Sequence, residues 1–206
     1  SVFVEKKWSL VVNIMRKQYE IFHLQRKLKE IEVRDEVTQF LLPSQYVRKV
    51  EDEFVRARRN QQPMCIVILK IDKLDEHVSK VGEHHRDIIV KAVSSIVRRT
   101  SRTNDITVRL STDQIALILP NCSMRGGGIR AERLRRTIES TSISMQPNSV
   151  TICAGISEYP SVAATSDQLM ARADEAVRQV SERGGNKVCL SVSEPDFAPD
   201  FYVSNE

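Results

Sequence analysis

The sequence has few aromatic residues, no Cys-x-x-Cys pair and no apolar run that approaches the length of a membrane span. Aromatic side chains make up 5% of its 206 residues, whereas a spanning helix needs about 20 consecutive, predominantly apolar residues. No secretory signal peptide is visible either. These absences predict a soluble, cytoplasmic protein with no membrane contact in this stretch. Because the first residue is not Met, we expect a fragment of a longer chain, with a membrane or sensor segment upstream. An unidentified protein partner is the alternative to an upstream sensor domain.

The cysteines are few and scattered, which is typical of a reduced protein rather than of a disulfide framework or a metal centre. Three of the four lie in apolar, strand-like runs, where cysteine serves as a small core residue. Disulfides and metal binding are the alternatives, and we expect neither. The four are Cys65, Cys122, Cys153 and Cys189.

The charge and apolar content indicate one folded domain with an appended element. Hydrophobic residues make up 41% and charged residues 28% of the chain, a balance typical of globular proteins. The net charge of +4 permits an anionic ligand but is too small and too diffuse to predict nucleic-acid binding.

The N-terminal region, residues 1–34, is predicted to form a long helix. Apolar residues recur there at alternating spacings of three and four, which is the seam of a coiled coil. We interpret it as a signalling helix that forms a homodimer; a single amphipathic helix packed on its own domain is the alternative. The seam residues are Leu10, Ile14, Ile21, Leu24, Leu28 and Ile31.

Residues 35–192 alternate helical and strand patterns, which predicts an α/β or α+β sandwich with helices covering a mostly antiparallel sheet of about five strands. Residues 64–71 form a nearly continuous apolar run, typical of a strand buried on both faces. The last part, residues 193–206, is acidic, and we expect a mobile tail. Docking of its aromatic residues on the domain or on a partner is the alternative. Further helices are predicted near residues 44–60, 83–99, 124–139 and 166–183, and further strands at 150–156 and 186–192.

The central stretch, residues 102–120, is predicted to be a β-hairpin. Two β-prone runs, at 106–108 and 115–119, flank the polar break Leu-Ser-Thr-Asp-Gln. Directly before the first run stands Arg-x-x-Asp, Arg102 to Asp105, which holds a guanidinium and a carboxylate at fixed spacing.

The order of several short motifs resembles the GGDEF family of diguanylate cyclases over about residues 35–190. The resemblance implies a nucleotide-cyclase-like fold in which Ser111-Thr112-Asp113-Gln114-Ile115 replaces Gly-Gly-Asp-Glu-Phe. It rests on Asp35-Glu36-Val37-Thr38-Gln39-Phe40, Ile68 to Asp72, Gly82 with Asp87, Ala131-Glu132-Arg133, Val150 to Ile156, Ala173-Asp174-Glu175-Ala176 and Gly184-Gly185-Asn186.

The same resemblance implies that the catalytic site is degenerate. A family metal carboxylate falls on Lys70, which puts a cation where a divalent metal is needed, while the second survives as Asp113. Thr112 replaces a turn glycine although a β-branched residue resists positive φ. We therefore predict no enzyme activity, no metal and no cofactor. Family residues that bind guanine or phosphate fall on Val78, with Asp87 retained, and on Ser181 and Gly185.

The inhibitory site of the family, by contrast, is retained. The resemblance places cyclic di-GMP on Arg102, Asp105 and Arg133, because Arg offers a planar fork for phosphate or guanine and Asp accepts from guanine N–H groups. An acidic family position falls on Gly126, which weakens the match. The alternative for Arg102 and Asp105 is a surface salt bridge.

Three functions follow as hypotheses. The first is an inactive GGDEF-like domain that receives cyclic di-GMP and passes its occupancy to a partner or a dimer. The second is an interaction or dimerisation module that needs no ligand. The third is a remnant that binds GTP without metal, which Val78 and Ser181 argue against.

Overall fold

The computed structural model describes residues 14–21, 33–143 and 150–203. The chain divides into two units, residues 1–33 and residues 34–206. In the first, residues 14–21 are helical with exposed side chains; the rest of the predicted coiled-coil seam lies outside the described residues. The predicted end of this helix at residue 34 is wrong, because Arg34 forms an isolated β-bridge with Leu41.

The second unit is built on one five-stranded sheet, which confirms the predicted fold class. The strands follow the order β2-β3-β1-β4-β5. All neighbouring pairs are antiparallel except β4 and β5, which are parallel. The strands are β1 (Met64–Ile71), β2 (Ile106–Arg109), β3 (Gln114–Pro120), β4 (Ile152–Tyr159) and β5 (Val188–Leu190).

Five α-helices cover the sheet, and the four predicted near residues 44–60, 83–99, 124–139 and 166–183 lie close to those positions. Ser123 caps α4 and Thr165 caps α5, each by accepting a hydrogen bond from a backbone N–H of the first turn. After α5 the chain turns through Gly184 and Gly185, both at positive φ, which glycine adopts without the penalty of a Cβ. The helices are α1 (Tyr46–Asn60), α2 (Leu74–Val81), α3 (His84–Thr100), α4 (Met124–Ser140) and α5 (Ser166–Glu182).

Strand alternation divides the interior into two cores, one on each face of the sheet. In β1, Cys65, Val67 and Leu69 pack towards α2, α3 and α4. Met64, Ile66 and Ile68 of the same strand pack on the other face, towards α1 and α5. Because β1 is the central strand and is covered on both faces, its near-continuous apolar run is what the geometry requires.

For α1 the sequence predicts an apolar face of Val47, Val50, Phe54 and Val55 with Ser44 as the N-cap, and this prediction is partly wrong. Val47 and Val55 are exposed, whereas Tyr46, Val50 and Phe54 are buried. Ser44 does not cap the helix either: residues 43–45 form a short 3-10 turn, and the N-cap position of α1 makes no side-chain hydrogen bond. The rotation of α1 is set by packing on the sheet, which local spacing alone does not specify.

The described part of the tail is attached to the domain. The Tyr159 hydroxyl donates to Asp200 at 2.8 Å, and the Phe201 ring lies edge-on to Tyr159 at 5.7 Å. The expectation of a mobile tail is therefore wrong as far as residue 203, and docking of an aromatic side chain is the outcome that the structure supports.

Candidate functional site

The predicted Arg-x-x-Asp motif forms the turn that links α3 to β2. The Asp105 carboxylate accepts a hydrogen bond from the backbone N–H of Arg102, which closes the turn on itself. The side chain of Asp105 is only 4% exposed, whereas Arg102 is exposed. The two residues thus have different environments although they are three positions apart.

A cavity of about 320 Å³ opens beside this turn, between it and α4. Its wall contains all three predicted site residues, Arg102, Asp105 and Arg133, so the fold brings them together across 31 positions of sequence. Within the described residues, neither the Arg102 nor the Arg133 guanidinium has an ion pair or hydrogen bond of its own. We call this space the arginine cavity. The rest of its wall is Thr100, Leu119, Pro120, Cys122, Gly126, Ile129, Arg130 and Leu134.

Arg130 is the site residue that the sequence did not identify. By sequence alone the basic residues of α4 fit a solvated face, but the Arg130 side chain is 14% exposed, and its Nη2 lies 2.6 Å from Oδ2 of Asp105. The N–H groups are not well aligned on that oxygen: Nε and Nη2 are buried with no hydrogen-bond partner in the described structure. A signal was available, because Arg130 flanks the buried stripe formed by Gly127, Ala131 and Leu134.

Arg135, on the same helix, is also largely shielded from solvent. It is 14% exposed and pairs with Glu132 and Glu139, each at 2.8 Å. Its Nη1 also donates to the Asn186 side chain at 2.7 Å, which ties α4 to the segment before β5. Arg135 therefore holds the helix in place, while the side of α4 that carries Arg130 and Arg133 borders the cavity.

The turn between β2 and β3 is a second, separate site. The Asp113 carboxylate accepts a hydrogen bond from the Ser111 hydroxyl at 2.7 Å, and its other oxygen lies 4.0 Å from Nζ of Lys70. Neither Ser111 nor Thr112 adopts positive φ, as expected for residues with a Cβ. Among the residues the structure describes, no group of three His, Cys, Asp or Glu side chains is placed to hold a metal ion.

The remaining positions expected to contact a nucleotide are dispersed. Val78 is 2% exposed and belongs to the core, whereas Asp87 is exposed on α3. Ser181 lies on α5, after which Gly185 packs so closely that a Cβ there would approach the Asp72 carboxylate to 2.3 Å. The structure thus does not gather these four residues into one polar site.

Asp72 itself is a structural residue. Its neighbours Lys70, Lys73 and Asp75 favour a screened, charged turn by sequence alone, but Asp72 is buried. Its Oδ2 accepts hydrogen bonds of 2.8 Å from the Thr151 hydroxyl and from the Asn186 backbone N–H. It thereby joins the end of β1 to the segments before β4 and β5.

An ion pair joins the start of the domain to the hairpin. Arg109 Nη1 lies 2.9 Å from both oxygens of Asp35, and Arg109 Nε donates to the Ser111 carbonyl at 3.2 Å. Burial raises the pKa of Asp35, but hydrogen bonds from Thr38 and Arg109 outweigh it and leave the pKa below its ordinary value. Asp35 is therefore held in its charged form behind the β2–β3 turn.

None of the helices in the described ranges is long and apolar enough to cross a membrane.

The family model described as "Diguanylate cyclase, GGDEF domain" matches residues 32–187. Among curated relatives, the chain is 30% identical over 130 residues to the uncharacterized protein YhcK of Bacillus subtilis, and 27% identical over 133 residues to diguanylate cyclase A of Treponema denticola. These alignments cover 62% and 64% of this chain but 36% of each relative, so the chain spans about a third of their length.

Solved structures agree on the fold. The coiled coil and GGDEF domain of DgcB from Caulobacter crescentus, in complex with c-di-GMP, superposes with a TM-score of 0.72 at 19% identity, over 89% of this chain and all of that chain. Diguanylate cyclase SiaD of Pseudomonas aeruginosa, in complex with its activator SiaC, gives 0.71 at 22% identity, over 90% of this chain and 72% of that one. The chain belongs to the GGDEF domain family.

Proposed function

We propose that this chain is a catalytically inactive GGDEF domain that binds cyclic di-GMP in the arginine cavity. The observation that carries the proposal is the cavity's unbalanced charge. Arg102, Arg130 and Arg133 border it, with Asp105 as the one carboxylate among the described residues of its wall. The Asp105 carboxylate is already engaged by Arg130 and by the Arg102 backbone. A ligand with phosphate and guanine acceptors supplies the missing partners.

The energetics suit such a ligand. A hydrogen bond to a charged group contributes about 1.5–3 kcal/mol, and micromolar affinity corresponds to about 8 kcal/mol. Arg102 and Arg133 provide two guanidinium forks, and Arg130 adds its positive charge to the cavity wall. Together with the apolar wall formed by Leu119 and Ile129, these groups are sufficient for micromolar binding. Asp105 acts mainly by positioning Arg130 and closing the turn.

The proposed inactivity rests on the turn at Asp113. Phosphoryl transfer by two metal ions requires carboxylate ligands free to take a divalent cation. Both oxygens of Asp113 are already near a donor of this chain, the Ser111 hydroxyl and the Lys70 ammonium. The residues at this edge do not fit Mg²⁺, and Gln114 is not a base.

The output of binding is proposed to pass through residues 1–34 as a dimerising helix, or to a separate protein partner, in a cytoplasmic setting. Such an arrangement is compatible with the structural relatives: DgcB carries a coiled coil beside its GGDEF domain, and SiaD is in complex with an activator protein. The second candidate is a module that dimerises or binds a protein without any ligand, for which the intact and well-packed fold is sufficient.

Calorimetric titration of the chain with cyclic di-GMP and with GTP separates these functions. Cyclic di-GMP is expected to bind with micromolar affinity, Arg102→Ala to lose it, and the exposed Arg99→Ala, three positions away, to keep it as a charge-matched control. Failure of the unmodified chain to bind at tens of micromolar would leave the ligand-independent module. If Arg99→Ala weakens binding as much as Arg102→Ala, the cavity is not the site.

Incubation with GTP and Mg²⁺ tests the catalytic part separately. No cyclic di-GMP is expected by chromatography after prolonged incubation, because the metal edge is occupied by Lys70. Any product above that of a chain-free control would refute the inactivity.

A further inference from the structure

Two thiols lie together behind the arginine cavity, on the wall that faces the core. Cys122 directly precedes Ser123, the N-cap of α4, and lines the cavity. Cys65 is fully buried in β1, and its Sγ donates to the Cys122 carbonyl oxygen at 3.1 Å. The Cys122 Sγ in turn donates to the Ser123 carbonyl oxygen at 3.6 Å. The two cysteines pack in the same core cluster, so the pair is a built feature of the domain.

From this arrangement we propose that Cys122 is a peroxide-reactive thiol that forms a reversible disulfide with Cys65, and that this bond weakens ligand binding in the arginine cavity. The second half of the statement rests on the function proposed above, whereas the first half does not. The oxidant is a small hydroperoxide such as hydrogen peroxide.

The surroundings give the two sulfurs different roles. Cys122 lies near the N-terminus of α4 and near Arg102 and Arg130, an environment that favours a thiolate. The neighbouring Cys65 thiol lowers the pKa of Cys122, and Arg102 and Arg130 lower it further. Burial and the Asp105 carboxylate oppose this change, and the pKa ends below its ordinary value. Cys122 is also half-buried rather than closed off, so a small oxidant reaches it through the cavity.

Cys65 has the opposite environment. Burial raises the pKa of its thiol well above the ordinary value, and Cys122 and the carboxyl of Glu158 add to the increase. Glu158 stands directly opposite Cys65 in the pairing of β1 with β4. Cys65 is therefore not the group that attacks peroxide first; it is the one that resolves the oxidised Cys122.

The chemistry balances with a peroxide as the only added reagent. The Cys122 thiolate attacks one peroxide oxygen: an S–O bond forms, the O–O bond breaks, and the departing hydroxide takes a proton from solvent to become water. The sulfur is oxidised to a sulfenic acid and the peroxide is reduced. Cys65 sulfur then attacks Cys122 sulfur, so that the S–S bond forms and the S–O bond breaks. The leaving hydroxide takes the proton lost by Cys65 and becomes a second water.

The first turn of α4 connects this bond to the ligand. A Cβ at Gly126 would lie 3.2 Å from Cys122 Sγ, and one at Gly127 would lie 3.3 Å from Cys65 Sγ. Both sulfurs thus pack against the turn that leads to Arg130 and Arg133. Drawing the sulfurs to bonding distance shifts this turn and withdraws the Cys122 side chain from the cavity wall, so we expect several-fold weaker binding of an anionic ligand.

The test is oxidation of the reduced, full chain with hydrogen peroxide, followed by peptide mapping under non-reducing conditions. A Cys65–Cys122 cross-link that dithiothreitol reverses is expected in the unmodified chain. It is also expected in the control variant Cys189→Ser, which removes a half-buried thiol on β5. Cys122→Ser should form no cross-link. In Cys65→Ala, a dimedone adduct should accumulate on Cys122 several-fold faster than on Cys189.

Because Cys65 is in the core, folding of Cys65→Ala is checked by its thermal transition, and the unmodified chain alone still decides the cross-link. Absence of the cross-link overturns the proposal, as does equal dimedone labelling of Cys189. Binding of cyclic di-GMP is then measured before and after oxidation. Unchanged affinity in the cross-linked chain overturns the coupling to the cavity. If the reduced chain does not bind cyclic di-GMP at all, the proposed function fails while the mapping result still decides the thiol pair.

Discussion

The two ends of the β2 strand carry polar sites of similar composition but opposite charge balance. At its start, the arginine cavity has three guanidinium groups and one carboxylate, and that carboxylate is 4% exposed. At its end, Lys70 and Asp113 form a one-to-one pair with side chains 32% and 29% exposed. The first site retains positive charge that no residue of the described ranges neutralises, whereas Lys70 and Asp113 neutralise each other at the second.

The two sites also differ in burial, which determines how much each charge pair contributes to stability. A charge pair in a half-exposed position contributes little, because water competes for both partners. In a buried position the pair contributes more, and loss of one partner leaves the other charge without compensation. We therefore expect a large loss of stability where a substitution breaks the buried Arg130–Asp105 pair, and a large loss of binding where it removes an exposed arginine of the cavity. Substitutions at the turn should have small effects on both.

The largest effect is expected from Arg130→Ala. It leaves the Asp105 carboxylate with the Arg102 backbone N–H as its remaining donor in the described structure, and loss of one member of a buried pair costs about 3–5 kcal/mol. Urea unfolding should show this loss. The double variant Arg130→Met with Asp105→Asn, which removes both charges, should recover most of it. A cost below about 1 kcal/mol for Arg130→Ala would mean that the pair is not a buried one in solution.

The next effect is on affinity, from Arg133→Ala. Removal of one charge-assisted hydrogen bond costs about 1.5–3 kcal/mol, so the affinity for cyclic di-GMP should fall by about tenfold to a hundredfold. Stability should stay within about 0.5 kcal/mol, because Arg133 is exposed. Arg136→Ala, on the same helix and outside the cavity wall, is the control in the same titration; equal losses for both would indicate a diffuse charge effect.

A smaller effect concerns acid stability at the Asp35–Arg109 pair, which lies behind the turn. The pKa of Asp35 is lowered in the folded state, so its contribution is present above the unfolded pKa of about 3.9 and is lost as the pH falls through the folded value. Asp35→Asn should therefore lower stability by about 1–2 kcal/mol at neutral pH and much less at acid pH. Urea titrations at several pH values measure it, and a pH-independent difference would contradict it.

Binding of cyclic di-GMP should be unchanged in that variant, because Asp35 contacts Arg109 and Thr38 and does not line the cavity. Weaker binding in Asp35→Asn at a pH where the variant is fully folded would mean that the turn and the cavity are coupled, and the contrast between them would have to be abandoned.

Much of the fold was predictable because its signals are local. The bounds of β1 were predicted correctly, because an apolar run between Pro63 and Asp72 leaves little choice of where the strand begins and ends. The hairpin was identified from two β-prone runs and the polar break between them. The parallel pairing of β4 with β5 was not predicted, because it depends on where α5 returns the chain rather than on the residues of β5 themselves.

The site was predictable only in part, for a related reason. Arg102, Asp105 and Arg133 were identified by family resemblance, and the fold does bring them to one cavity. Arg130 was overlooked because its role depends on how α4 is rotated on the sheet. Arg133 is three positions after Arg130, so both lie on one side of the helix, and packing decides which of them approaches Asp105.

The smallest effect is expected at the turn, and it tests whether the Lys70–Asp113 pair would account for the proposed inactivity. Lys70→Ala should change stability by less than about 1 kcal/mol, because the 4.0 Å pair with Asp113 is about a third exposed. Lys70→Asp should place two carboxylates at this edge, where their repulsion favours a cation. Added Mg²⁺ should then raise the thermal unfolding temperature of Lys70→Asp and leave that of the unmodified chain and of Lys70→Ala unchanged. If Mg²⁺ stabilises all three alike, Asp113 takes the metal despite Lys70, and the contrast between the two ends of β2 lies in affinity for the nucleotide rather than in the metal site.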